Sequence, residues 1–396
     1  MAPDTSTHPL SFCAEELRRL EAAGLGRRVR SLDSPSEPEV TLDGRRVLCL
    51  ASNNYLGLAT HPEVTAAAAD AARRFGAGAG AARLITGGLT LHDELEAALA
   101  AFKRAEAALL FSSGYLANVG TIAALAGPGD AVFSDALNHA SIIDGARLSR
   151  AQVHVYRHAD AGDLFELLCR WRSSSPAGGR ALVVTDSVFS MDGDLAPLPD
   201  LLQVAEGHDA VVMVDEAHAT GVVGPGGRGA VAHFGLEGRV PVLMGTLSKA
   251  LGAAGGFIAG TQELCAYLRH RARTFVFDTA MPPPVAAAAR AALAVLEREP
   301  ERPERARHLA RRLASGLASA GYRVSAPDAA VIPVIVGEPG AALALSADLL
   351  ERGVLVTAIR PPTVPPGTSR LRATVMATHT DAQLERATCA FAAAAR

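Results

Sequence analysis

Between Ala51 and Pro284, short and continuously apolar runs rich in β-branched residues alternate with stretches of helical periodicity. The runs are Ala107–Phe111, Ala131–Ser134, Gln152–Tyr156, Ala181–Asp186, Ala210–Asp215, Val242–Gly245 and Gly256–Ala259. A strand that is apolar at every position, not at every second one, is covered on both faces. Connections long enough for a crossover helix indicate parallel pairing. The pattern predicts a large α/β unit, residues 51–285, around a mostly parallel seven-stranded sheet. Residues 1–50 precede it as an N-terminal segment: a loose tail over 1–12, a short amphipathic helix over 13–25, and a hairpin over Val40–Val47 turning at Asp43-Gly44. Pro282-Pro283-Pro284 punctuates the end of the large unit. Residues 286–396 read as a smaller α+β unit. It has helices to about Gly321, a strand near Ala330–Val336, a helix near Ala341–Arg352, and strands near Val354–Ala358 and Arg370–Thr374. Its last helix is opened by a capping box of Thr380 and Gln383.

The chain has 396 residues, 49% hydrophobic and 20% charged, enough apolar material for a substantial core and incompatible with a disordered or disulfide-scaffold class. Thirty-eight Lys and Arg against 41 Asp and Glu leave a formal charge of −3, which argues against nucleic-acid binding. The arginine-rich stretch Glu297–Arg312 alternates its signs and reads as a solvated helix face. Ala107–Gly129 is long enough to cross a bilayer, but Ser112-Ser113-Gly114, Asn118 and Gly120 interrupt it, so a buried strand followed by a helix is expected and no membrane span. Five scattered cysteines without CxxC spacing, and an N-terminus without a basic and then apolar leader, point to the cytoplasm. The histidines are dispersed, and no metal site is expected.

Ligands of a parallel α/β sheet bind beyond the carboxyl ends of its strands. At those ends the chain places Ser112-Ser113-Gly114-Tyr115, then Asn138-His139, Ser187, Asp215 with His218, and Thr246-Leu247-Ser248-Lys249. Small residues at a helix N-terminus suit a phosphate. An acid can pair with a protonated ring nitrogen, an imidazole can stack on a flat ring, and a lysine can form a Schiff base with an aldehyde. Together these requirements match pyridoxal 5'-phosphate (PLP). Taken singly, each has a bland reading: a helix cap for Ser112–Tyr115, a turn residue for Asp215, core histidines for His139 and His218, a structural lysine for Lys249. The convergence carries the assignment.

Five segments resemble the α-oxoamine synthase family of fold-type-I PLP enzymes: Asn53–Leu58, Leu137–Ser141, Asp186–Asp194, Asp215–Gly221 and Gly245–Gly252. The resemblance covers nearly the whole chain and implies a fold-type-I PLP-dependent transferase that works as a homodimer. It implies that Lys249 holds the cofactor, that Asp215 pairs with the pyridine nitrogen, and that His139 stacks on the ring. Ser187 and His218 would contact the phenolic oxygen. Thr246 and the Gly114 and Tyr115 amides would bind phosphate, with Thr279 reaching the partner's phosphate. Arg27, His139 and Thr363 match substrate-contacting positions, and Arg372 matches the carboxylate-binding arginine. Arg27 lies in Arg27-Arg28-Val29-Arg30, where a solvated face is equally open, and Arg370 and Arg372 share one strand face, so one of them can be structural.

Family members condense an amino acid with an acyl thioester and release CO₂. The block Arg360-Pro361-Pro362-Thr363 is most similar to the biotin-pathway branch, which implies L-alanine and a pimeloyl thioester on carrier protein or coenzyme A. The alternatives are a glycine-using branch, such as 2-amino-3-ketobutyrate ligase or 5-aminolevulinate synthase, or an aminotransferase; a non-catalytic regulator would need a DNA-binding arm that the short N-terminal segment does not provide. Two departures stand out. Gly78-Ala79-Gly80-Ala81-Ala82-Arg83 lacks the family's usual hydroxyls, and Asp278 precedes Thr279 where relatives carry serine.

Overall fold

The computed structural model describes residues 8–174 and 178–395; most of the expected N-terminal tail lies outside them. The expected helix runs over Ser11–Ala22 and buries none of its residues. The hairpin forms as β1 (Glu39–Leu42) and β2 (Arg45–Cys49), with Asp43 and Gly44 at positive φ in the turn.

All seven apolar runs are strands: β3 (Ala107–Phe111), β4 (Ala131–Asp135), β5 (Gln152–Tyr156), β6 (Ala181–Asp186), β7 (Ala210–Asp215), β8 (Val242–Thr246) and β9 (Gly256–Gly260). They form one sheet of order β3-β9-β8-β7-β6-β4-β5, in which β9 alone runs antiparallel to its neighbours. Sidedness follows the pattern in β3, β4 and β6 and departs from it in β5. β3, β4 and β6 are buried at every position, because helices cover both faces. β5, at the sheet edge, is mostly exposed.

The C-terminal part has β10 (Arg323–Val324), β11 (Val331–Gly337), β12 (Val354–Leu355), β13 (Thr357–Ile359) and β14 (Ser369–Thr374). Four of these make an antiparallel sheet of order β10-β11-β14-β13. The single strand expected over Val354–Ala358 is instead two. β12 leaves this sheet and pairs in parallel with β2, so the N-terminal hairpin takes its third strand from the far end of the chain. Thr380 and Gln383 form the expected capping box on the helix Asp381–Ala394. The solvated face expected over Glu297–Arg312 is corrected in two places. Arg302 donates to the Leu56 carbonyl at 3.1 Å, and Arg305 donates to the carbonyls of Ala377 and His379 at 2.7 and 3.0 Å. These arginines fasten the helix Glu301–Ser319 to loops that sequence proximity does not reveal. No helix among the described residues is long and apolar enough to cross a membrane, and none of the five cysteines is in a disulfide.

The turn that follows β7 is held from beneath. Lys103, the last residue of the helix Thr90–Lys103, donates to Glu216 Oε2 at 2.7 Å, Thr220 Oγ1 at 2.8 Å and the Arg228 carbonyl at 2.6 Å. All three ammonium protons are thereby used. Glu216 Oε1 accepts from the Val231 amide at 2.8 Å. The Lys103 and Glu216 side chains are 1% and 0% exposed. Gly229, at φ +118°, lies so close to the Glu216 carboxylate that a Cβ there would fall 2.4 Å from Oε1. Removing one member of such a pair strands the other charge in the interior. Lys103→Met is therefore expected to destabilise the protein by about 3–5 kcal/mol, read as a fall in the urea midpoint. The double variant Lys103→Met/Glu216→Gln should recover part of that loss.

Candidate active site

Strand polarity brings the ends of β3, β4, β6, β7 and β8 to one edge, where the sequence places its chemistry. Asp215 ends β7 and is buried. Its Oδ1 accepts from the Ala217 amide at 2.8 Å and its Oδ2 from Asn118 Nδ2 at 2.7 Å. Asn118 also donates to Ser141 Oγ at 2.8 Å, and Ser141 Oγ meets His139 Nδ1 at 2.7 Å, so Asp215 and His139 belong to one hydrogen-bonded set. Asp186, opposite Asp215 in the sheet register, accepts from the His139 amide at 2.8 Å. Burial, followed by repulsion from Asp215, pushes the Asp186 carboxyl well above the usual carboxylate range. Of the two acids, Asp186 is the one suited to remain protonated.

Lys249 sits in the loop after β8. Burial lowers its pKa, Arg372 adds to the effect, and Asp215 and Asp186 oppose it. A lowered pKa makes the amine available as nucleophile and base. His218 is buried and its pKa falls well below normal, first from burial and then from the charges of Lys249, Arg372 and His139. The pKa of His139 is also lowered, by desolvation first, with Lys249 adding and Asp215 opposing. These mutual influences locate Lys249, Asp215, His139, His218 and Arg372 in one cluster.

Tyr55 completes it. Its hydroxyl is 2.7 Å from His218 Nδ1 and accepts from Arg372 Nη2 at 3.1 Å. The Tyr55 hydroxyl has one proton and two acceptors in reach, His218 Nδ1 and Asn53 Oδ1 at 3.1 Å; when it donates to Nδ1, a neutral His218 carries its proton on Nε2 and can donate from there. Arg372 also donates through Nε to the Ser190 carbonyl and through Nη1 to Asn53 Oδ1 at 3.1 Å. One N–H remains on each terminal nitrogen, the fork that a carboxylate accepts. Arg370, on the same face of β14, is the structural arginine of the pair, bound to Asp192 and to the Met191 carbonyl. Tyr55, Ser141 and Asp186 lie within the segments of family resemblance and Asn118 within the interrupted apolar run, yet none of them stands out as a site residue in the sequence; a partner distant in sequence leaves no local pattern.

The start of the helix after β3 is close-packed against β8. Ser113 caps the helix Gly114–Leu125, accepting from the Leu116 amide at 3.1 Å. A Cβ on Gly114 would fall 2.9 Å from Met244 Cε and 3.4 Å from Thr246 Oγ1, so the Gly114 amide and the Thr246 hydroxyl stand side by side. Thr246 Oγ1 donates to the Gly255 carbonyl and meets Ser248 Oγ, each at 2.8 Å; Ser248 is a further hydroxyl that the sequence reading did not assign. A helix N-terminus of small residues, a buried acid, an imidazole at the opening and a lysine of lowered pKa form a donor set that fits PLP. Ser187 is buried and donates its proton to the Asp215 carbonyl at 2.8 Å, which leaves the donor role toward a phenolic oxygen to His218. Tyr115 turns its hydroxyl to Asp144, so it can serve phosphate through its amide. Thr279 is exposed, and its carbonyl accepts from Ser112 Oγ at 3.1 Å. The Asp278 Oδ2 is buried without a hydrogen-bond partner, in a wall that also includes Arg83, Ser112 and Thr279. Arg27 and Thr363 are exposed. The segment containing Arg27 is tied down by Arg360, which donates to the carbonyls of Gly24 and Gly26.

One wall of the site is the loop Ser187–Leu195, closed by a bridge between Val188 and Leu195. His158 joins this loop to the sheet, with Nδ1 3.0 Å from Asp135 and Nε2 2.9 Å from Asp194. The hydrogen bonds to these two carboxylates raise its pKa to about 10. The folded value lies above the unfolded one, so the stabilisation is complete below pH ~6.5, declines as pH rises and is gone above about 10. The stability difference between the wild type and His158→Gln should therefore be constant in mild acid and shrink steadily from pH 7 to 10 in urea titrations.

Residues 45–391 match the aminotransferase class I and II family. The chain is 48% identical to an 8-amino-7-oxononanoate synthase of Symbiobacterium thermophilum over 385 residues, 97% of each chain. Its fold is similar to that of the Sphingomonas wittichii serine palmitoyltransferase, with a TM-score of 0.92, 35% identity and 98% of each chain covered. It is equally similar to an SPT structure with PLP as internal aldimine, again at TM-score 0.92, 35% identity and 98% of each chain. By a family match across most of its length and relatives that align end to end, the chain belongs to the aminotransferase class I and II family.

Proposed function

We propose that this protein is a PLP-dependent acyltransferase that condenses L-alanine with a pimeloyl thioester to give 8-amino-7-oxononanoate, CO₂ and free thiol, a step of biotin biosynthesis. The observation that carries this reading is the cluster of Lys249, Asp215, His218 and Arg372, in a chain aligned end to end with an 8-amino-7-oxononanoate synthase at 48% identity. When bound, PLP supplies an aldehyde for imine formation and a conjugated ring that spreads the charge of a carbanion.

The chain's own residues do the rest. Asp215, held by Asn118 and the Ala217 amide, would keep a proton on the ring nitrogen. His218, with Tyr55 at its Nδ1, would donate from Nε2 to the phenolic oxygen. His139 would lie against the ring, and Gly114, Tyr115 and Thr246 would hold the phosphate. Arg372 binds the alanine carboxylate with its two remaining N–H groups and so orients the Cα–H. Lys249 removes that proton and returns one after CO₂ has left; burial favours its neutral form. Arg27 and Thr363 contact the acyl substrate, delivered on a carrier protein or coenzyme A.

We place the enzyme in the cytoplasm as a homodimer with shared sites. Phe277 and Ile85 are 71% and 75% exposed, and the bridge between Ala82 and Thr279 joins their segments into one apolar surface. Thr279 lies on that surface and reaches the neighbour's phosphate.

With a panel of acyl thioesters and small amino acids, product mass analysis should show L-alanine with the pimeloyl thioester as the preferred pair. Better use of glycine with acetyl- or succinyl-coenzyme A would overturn the substrate assignment. Lys249→Ala should lower turnover by at least the ~10²–10⁴-fold that a positioned base contributes. Phe277→Lys should move the sedimentation coefficient toward that of a monomer, and an unchanged dimer would argue against this interface.

A further inference from the structure

Within the segment Asp186–Asp194, the function above leaves Ser190, Asp192, Gly193 and Asp194 without a part. The structure gives each of them one. The Ser190 carbonyl accepts from Arg372 Nε, and Asp192 binds Arg370, a side chain that is 5% exposed. Gly193, at φ +73°, presses against β11, where a Cβ would fall 2.5 Å from the Val331 carbonyl. Asp194 meets His158 at 2.9 Å, and the His158 ring stands edge-on to Phe189, with centroids 4.4 Å apart. His158 in turn meets Asp135 at the end of β4.

The loop thus has two anchorages of opposite origin. His158 and Asp135 fix it to the large sheet; Arg370 and β11 fix it to the small antiparallel sheet. Between them it offers the Ser190 carbonyl to Arg372, the arginine assigned above to the substrate carboxylate. Two of the three groups that orient Arg372, Asn53 and Tyr55, lie before β3, and the third is this loop. Without the Ser190 carbonyl nothing would hold Nε, and the planar guanidinium would be free to pivot through the torsions of its stem about its bonds to Asn53 and Tyr55. Displacements of about 1 Å at such a contact can cost on the order of 10²-fold.

We propose that the loop Ser187–Leu195 is an inter-domain strap that fixes the carboxylate-binding arginine, which makes Asp192, Asp194 and His158 positioning residues for the amino-acid substrate. The identity of that substrate as alanine rests on the proposed function; the strap itself does not.

The test is steady-state kinetics on the PLP-loaded enzyme with Asp192→Asn and, separately, His158→Gln. In each, the KM for L-alanine should rise roughly 10- to 100-fold, while the KM for pimeloyl-coenzyme A and the visible absorbance of the bound cofactor stay within about twofold of the wild type. Asp192→Glu, which keeps a carboxylate for Arg370, should recover part of the alanine affinity. Equal rises in both KM values, a fall in kcat with alanine KM unchanged, or no change in either variant would overturn the strap. If Asp192→Asn does not fold, His158→Gln gives the same readout from the opposite anchorage. The variants are assayed in parallel with glycine and L-serine. If one of those is the true substrate, the proposed function fails, and the strap still requires the KM rise for that amino acid.

Discussion

The active-site edge depends on one buried ammonium. Lys103 has three acceptors, and they come from three places: the residue after Asp215, the far side of the same turn at Thr220, and the loop carbonyl of Arg228. His218 lies between the first two. A neutral donor could not offset the Glu216 carboxylate, and without Lys103 that buried carboxylate would keep only the Val231 amide as a partner. The pair adds little net stability over an apolar equivalent, but it selects a single turn geometry, because every other arrangement leaves a buried charge short of partners. Asp215 and His218 inherit their positions from that selection. The position of Lys103 at the helix C-terminus also places its charge where the helix dipole favours a cation.

Above this turn, the site sorts its ionisable groups by surroundings, not by residue type. Two acids share adjacent strand ends, yet Asp215 receives two hydrogen-bond donors while Asp186 is pushed toward its neutral form by burial and by its neighbour. Two histidines of the same cluster are both pushed toward the neutral form, whereas His158, a few residues beyond β5, is held charged by two carboxylates. Imidazoles that stack or donate at the centre are thereby kept distinct from one that acts as a clamp at the wall.

Much of this was legible from the residues. The seven sheet strands were plain because buried parallel strands are apolar at every position and their ends carry the chemistry, as Asp215 and Lys249 illustrate. The C-terminal strands were less plain. Val354–Ala358 is a continuous run in the sequence, and only the position of β2 decides that it breaks into β12 and β13. The network around Arg372 was half legible. The arginine stood out by resemblance, but its partners Asn53, Tyr55 and Ser190 lie more than 180 residues away along the chain, and such pairings leave no periodic trace. Arg302 and Arg305 misled for the same reason, since alternating charge hides which guanidinium finds a backbone carbonyl.

The pairing of β2 with β12 also has a temporal side. The hairpin emerges early in synthesis, yet Leu48 and Cys49 gain their parallel neighbours only when Val354 and Leu355 exist. With about 300 residues still to be made at roughly 5–20 residues per second, β2 waits about 15–60 s on the ribosome with an open hydrogen-bonding edge. The large sheet, whose strands all lie between, can close during that interval. The nascent chain thus carries a sticky strand through most of its own production, and the exposed Arg45 and Arg46 at the start of β2 are the kind of charged residue that discourages such an edge from pairing with another chain.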